Sequence, residues 1–215
     1  MQNDLSSLNI VRIGSYITYS SLKEIGNRIL ESFRGTIREF KLSHHNTPVV
    51  DSIDAQLLTN ILQDEFGGHT LGITDADLRT EDEDEFYNSI FGGKNPNNDV
   101  AVVSTKKLSP PEIESENDYA LYVGRTLKVC LHEIGHNLGL TDHACYKIAP
   151  DGSLCPMSKG EFNKFGYLGY VKAIIDSRGR YFCEECSHFL SKVYGGGSKA
   201  AKFFKDGLEL DLFQE

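Results

Sequence analysis

The chain has 215 residues, 40% of them hydrophobic and 25% charged, with a formal net charge of −9. That length supports one domain with its own core, and the acidic balance excludes the basic face that nucleic-acid binding requires. It is read as solubility, with a weak bias toward cationic substrates. No apolar run reaches the length of a membrane span, and the start, MQNDLSSLNIVRIGSY, lacks the basic end and apolar core of a secretory signal. A cytoplasmic location is expected.

In chain order, NIVRIGSYI (9–17) has the β-branched, partly alternating pattern of a first strand. SSLKEIGNRILESF follows with Leu22, Ile25, Ile29, Leu30 and Phe33 at the spacing of an amphipathic helix, ended by Gly35. TIREFKL is a second strand. SIDAQLLTNILQDEF is a second helix, with Ser52 as a possible cap. GHTLGITDADL is a strand leading into a polar loop, and EDEDEF (81–86) is a solvated acidic run. A calcium site is the sharper reading of that run, but it lacks the glycine and spacing of a known loop. DVAVVSTKKL is a clear strand. The alternation of strands and helices predicts an α/β (α+β) fold with a mixed, twisted sheet.

PPEIESEN breaks the chain, and a long helix is expected from about Asp118 to Leu138. After it the periodicity weakens, and glycines, cysteines and short turns dominate. The GGG at 195–197 reads as a loop before a last helix or tail. With no internal repeat, residues 1–215 are one domain. Its N-terminal part, 1–139, ends at the long helix, and its irregular C-terminal part, 140–215, is held by something other than a large core.

The long helix carries HEIGHNLG. Residues four apart share a helix face, so His132 and His136 can direct two imidazoles at one ion, while Glu133 reaches beside it. In this HExxH arrangement zinc binds a water and the glutamate takes its proton. The bland reading is a helix with incidental histidines. Gly139 permits a left-handed exit that returns the chain toward the metal. Three residues later stands Asp142, followed by His143. Neighbouring side chains of an extended segment point apart, so only one of them binds. Asp142 is preferred, since carboxylate oxygen is a zinc ligand, and His143 is the alternative.

Cys183-Glu184-Glu185-Cys186 is a CxxC, and Cys145 and Cys155 supply a second pair. In a reducing compartment clustered cysteines bind metal more often than they form disulfides. These four therefore predict a closed structural zinc site that stabilises the C-terminal part. Two disulfides, or one bridge with a loose CxxC, are the alternative. Cys130, among apolar residues of the long helix, reads as a small buried hydrophobe. His44, His45 and His69 lack metal spacing, and His188 could replace one thiolate. Lys159 and Tyr170 are possible cleft residues that no pattern marks.

HEIGHNLG, DHAC, CPM and CEEC, in this order, resemble the archaemetzincin pattern: HExxHxxGxxHC, a second cysteine shortly before a methionine, then a CxxC. LGITDADL, SIFGG and AVVSTKKL also look like that family's segments, so the resemblance covers roughly residues 60–190. It implies a metzincin-like fold, a zinc metallopeptidase activity, and Met157 in a tight turn that supports the metal site without binding. It also implies that DVAVVST is the edge strand over the cleft, offering backbone groups to an extended peptide. The chain departs from the pattern where Asp142, His143 and Ala144 precede Cys145. There GLTDH is similar to the snapalysins, whose third ligand is aspartate. The expected protein holds two zinc ions, one catalytic and one structural, and hydrolyses peptide or protein substrates with Glu133 as general base. The rival readings are a non-catalytic zinc-stabilised peptide-binding protein and a secreted, disulfide-bonded protease.

Overall fold

In a computed structural model, which describes residues 7–14, 17–46, 50–80, 89–110, 112–160 and 162–194, the β-branched stretches become a sheet and the periodic ones become helices. The acidic run 81–86 and the glycines 195–197 lie outside the described residues. Strand β1 (Ser7–Ile13) leads to helix α1 (Tyr19–Ser32), then to β2 (Glu39–His44), β3 (Ser52–Asp54) and α2 (Ala55–Phe66). Next come β4 (Thr70–Thr74), β5 (Asp77–Arg79), β6 (Ser89–Ile90), β7 (Gly92–Lys94) and β8 (Val100–Ser104). The main sheet has the order β2-β1-β4-β8-β7. Its first four strands are parallel and β7 is antiparallel to β8.

Parity along the strands sorts the core into two layers. Ile10, Leu71, Ile73, Ala101 and Val103 face the layer that holds α1, whereas Val11, Ile13, Val100 and Val102 pack with Leu58 and Leu62 of α2. Every residue of β4 and β8 is buried. Gly72 on β4 is required by this packing, since a Cβ there would lie 2.5 Å from Leu62 and 3.0 Å from Ile13. The α/β fold with a mixed sheet is as the sequence predicts.

Two local expectations are corrected. Residues Ser52–Asp54 pair in parallel with β5, so Ser52 caps nothing. The cap of α2 is Asp54, whose carboxylate accepts from Leu57 N at 2.7 Å. DVAVVST is not the edge strand either. A run of five apolar or small residues buried on both faces is the signature of a covered strand, and β8 lies between β4 and β7. The edge is Gly92-Gly93-Lys94, which carries no β-type pattern of its own.

Helix α3 (Glu116–Asn137) packs against β8 and β7. Ser115 and Asp118 form a reciprocal capping box at its start. Beyond it the chain is more regular than its composition suggests. Helix α4 (Phe162–Tyr170), broken at Gly166 (φ 62°), runs into a π-helical turn at Val171–Ile175, and α5 (Glu184–Tyr194) follows. Arg125 of α3 grips Asp176 with two hydrogen bonds of 2.8 and 2.7 Å. This bidentate pair ties α3 to the C-terminal part. No helix among the described residues is long and apolar enough to cross a membrane.

Candidate active site and metal centres

The last turns of α3 put His132, Glu133 and His136 on one side of a cleft of about 300 Å³. Gly139, at φ 88°, reverses the chain, and a Cβ there would also meet the Phe189 ring at 3.3 Å. The return brings Asp142 over the two histidines. Its Oδ1 lies 3.4 Å from His132 Nε2 and 3.3 Å from His136 Nε2, and the two Nε2 atoms are 3.2 Å apart. Ligand atoms of a tetrahedral zinc at bonds of about 2.0–2.1 Å stand about 3.3–3.4 Å from one another.

The protons give a second test of that fit. His132 Nδ1 donates to Pro156 O at 2.9 Å, and His136 Nδ1 donates to Leu140 O at 3.0 Å. Backbone carbonyls accept only, so a neutral ring making this bond leaves its Nε2 bare. Burial pushes the His132 pKa well below its ordinary value, which keeps that ring neutral. Burial would raise the pKa of Asp142, but His136, His132 and Lys159 (Nζ to Oδ2, 3.1 Å) hold it well below the usual carboxylate range. At His136 burial is outweighed by Asp142 and Glu133, which raise the pKa, so without a metal the Nε2 proton of that ring is shared with Asp142 Oδ1. Three ligand atoms thus converge at a point that holds one proton or, in its place, a cation. His143, the alternative third ligand, is not in this group.

Glu133 is 6% exposed, and burial pushes its pKa up to about 7 against the opposing pull of His136 and Arg178. The strand β7 crosses it closely. A Cβ on Gly92 would lie 2.6–2.8 Å from three atoms of the Glu133 side chain, so only glycine lets the edge strand and this carboxylate coexist. Met157 is fully buried under the same helix, and a Cβ on Gly135 would meet its Sδ at 2.5 Å. Met157 thus packs against the helix between the two histidines.

The second cluster differs from the expected one. His143 Nε2 lies 3.3 Å from both Cys183 Sγ and Cys186 Sγ, and Cys155 Sγ is 3.9 Å from Cys186 Sγ. Zinc–sulfur bonds of about 2.3 Å place tetrahedral thiolates about 3.8 Å apart; a disulfide needs about 2.05 Å. Cys145 is exposed and outside the group, and all five cysteines are free. The correction has a simple cause. Counted from His132, the last two positions of HExxHxxGxxHC are 142 and 143, so His143 stands where that pattern has cysteine. His143 N donates to Met157 O at 3.0 Å, and this backbone bond turns its ring away from Asp142 toward the thiols. Contact with Cys186 holds the Cys155 thiol down to about 5. Cys183 and Cys186 flank the first turn of α5, which places both sulfurs on one side of the chain.

Two lining residues, Lys94 and Arg178, were not legible as site residues in the sequence; Lys159, offered there as a possible cleft residue, lines the cleft as well. Lys94 Nζ donates to His136 O at 3.2 Å. Tyr170 also lines the cleft and stacks on Phe91 at 5.7 Å between centroids. Their positions depend on three separate segments meeting, for which a single chain segment carries no signal.

The family model described as Peptidase family M54 matches residues 19–160. The archaemetzincin of Pyrococcus horikoshii is 29% identical over 185 residues, which cover 83% of this chain and 82% of the relative. Among solved structures, the archaemetzincin of Methanopyrus kandleri matches with a TM-score of 0.65 and 23% identity, covering 89% of this chain and 97% of the other. A zinc-dependent peptidase of Methanocorpusculum labreanum matches with a TM-score of 0.56 and 17% identity, covering 85% of this chain and 99% of the other.

Proposed function

The chain belongs to peptidase family M54, the archaemetzincin family of zinc metallopeptidases, and on that basis we propose that His132, His136 and Asp142 hold a catalytic zinc while Glu133 acts as general base in peptide-bond hydrolysis. The observation that carries this reading is the triangle of three ligand atoms at tetrahedral zinc spacing, beside a buried carboxylate. Zinc bound there supplies Lewis-acid polarisation of the scissile carbonyl and makes water more acidic. Glu133 takes the proton of the attacking water and hands it to the leaving amine. The Nδ1 bonds of His132 and His136 keep both rings oriented. The free edge of β7 offers backbone groups to an extended substrate, the role expected of DVAVVST.

His143, Cys155, Cys183 and Cys186 hold a second, structural zinc, whose binding free energy adds to folding. Residues 1–139 and 140–215 act as one domain, joined through Arg125–Asp176, while the second site staples the C-terminal part internally. The grouping of Cys155, Cys183 and Cys186 with His143 at metal-ligand spacing favours a reducing, cytoplasmic environment over the disulfide-bonded alternative. A non-catalytic site has no use for a buried carboxylate pressed against an edge strand.

Limited chelation is expected to abolish cleavage of an unstructured peptide library, and one equivalent of zinc to restore it. Full cleavage by the chelated protein would contradict the reading. The contact at Gly92 gives an independent prediction. Gly92→Ala displaces the Glu133 carboxylate, and misplacement on that scale costs up to about 10²-fold in rate. The variant is expected to lose at least about 10-fold in kcat while its zinc content matches the parent, as steady-state kinetics and metal analysis would record.

A further inference from the structure

The cleft wall contains one strongly buried cation, among the described residues, on which Glu133 and Asp142 act only from beyond ion-pair distance. Arg178 is 4% exposed. Its Nε and Nη2 donate to Ser158 O at 3.1 and 2.8 Å, and Nη2 reaches Tyr170 Oη at 3.5 Å. Among the described residues no carboxylate lies within ion-pair distance of the guanidinium, and Nη1 makes no hydrogen bond. Arginine buried to this degree is ordinarily paired with an acid. Compare Arg125, which is buried in the same part of the fold and is gripped by Asp176. Arg178 instead lines the cleft beside His132, Glu133 and Asp142.

The other charges of the cleft are committed or of the same sign. Asp142 belongs to the metal triangle and is approached by Lys159; Glu133 is the general base; Lys94 lies on the edge strand. The net charge of −9 biases the distant field toward cations, but the group left to meet a substrate at the cleft wall is positive. Nη1 is the uncommitted end of the guanidinium and can donate to a carboxylate, with Nη2 joining it if the long contact to Tyr170 Oη is given up.

We propose that Arg178 forms a subsite for a substrate carboxylate next to the scissile bond, so that the enzyme prefers peptides with an acidic group there. This rests on the hydrolase reading above. The carboxylate comes from an Asp or Glu side chain flanking the cleaved bond or from the free C-terminus of a short peptide. The apolar walls of Phe91, Val129 and Ile175 exclude water and strengthen the pairing.

The test uses the zinc-loaded full chain and paired fluorogenic peptides. These carry Glu or Gln at each position flanking the cleaved bond, each with a free or an amidated C-terminus. A charge-assisted bond of this kind corresponds to about 10- to 100-fold in kcat/KM. Glu over Gln by that factor identifies a side-chain subsite; free over amidated C-terminus by that factor identifies a terminal one. In R178Q the ratio is expected to fall to near 1, and in R178K to keep part of the preference. Because Arg178 also supports Ser158 O, circular dichroism and zinc content accompany each variant. Should R178Q not fold, competition on the parent enzyme by N-acetylglutamate against N-acetylglutamine replaces it, with the acid expected to inhibit at least about 10-fold more strongly. Equal cleavage of all peptides, or equal inhibition, overturns the subsite while leaving the hydrolase reading intact. Failure to cleave any peptide with both zinc ions bound overturns both.

Discussion

Replacement of Glu133 by glutamine is expected to leave the zinc content and the fold unchanged and to lower kcat/KM by about 10²- to 10⁴-fold, the usual contribution of a positioned general base. The two side chains have nearly the same volume, so the contact with Gly92 survives, and no charge is newly buried. What is lost is the one basic oxygen beside the metal triangle that binds nothing else. Burial raises the Glu133 pKa to about 7, which makes it a stronger base than a surface carboxylate and enlarges the effect of its removal. Steady-state kinetics with parallel metal analysis would check this. A Glu133→Gln variant that keeps more than about a tenth of the parent activity would assign the proton transfer to another group.

The second large effect concerns the cluster below the Met157 turn. His143→Ala removes one of four converging donors and leaves three buried thiols without their common partner. Loss of a structural metal belongs to the few single changes that exceed about 4 kcal/mol, which lowers Tm by roughly 8–16 °C in a domain of this size. His143→Cys restores a fourth thiolate and is expected to recover most of that loss. Cys145→Ser is expected to change stability by less than about 0.5 kcal/mol, because Cys145 is exposed and outside the group. Thermal unfolding followed by circular dichroism separates these outcomes. Strong destabilisation by Cys145→Ser with none by His143→Ala would reverse the assignment.

The contrast between these two residues shows what was legible in the chain. Local periodicity carried β1, β2, β4, β8, α1, α2 and the HExxH face of α3, because side-chain direction within one element follows from its geometry, whereas the short strands and the helices after α3 were not read. Asp142 was read from the metzincin spacing, which sets the third ligand three residues past the glycine, and from the likeness of GLTDH to the snapalysins. His143 was misread by residue type: a cysteine was sought for a thiolate site, and Cys145 was taken although position 143 kept the register. A backbone bond from His143 to Met157 decides the matter, and such a bond forms only once two segments meet. β7 was hidden for a related reason. Gly-Gly-Lys has no side-chain pattern, and its place is set by β8 on one side and by Glu133 on the other. Arg178 lies 45 residues from Glu133 in sequence and joins it only through the fold.

The central claim is that one chain carries two separate zinc sites, one open to the cleft and one closed. Native mass spectrometry of the intact protein tests it most directly. Two zinc ions per chain are expected for the parent. Asp142→Ala should retain one, and that ion should resist a chelator until the chain unfolds. A parent chain that binds a single zinc under saturating metal, or an Asp142→Ala chain that still holds two with parent affinity, would contradict the account.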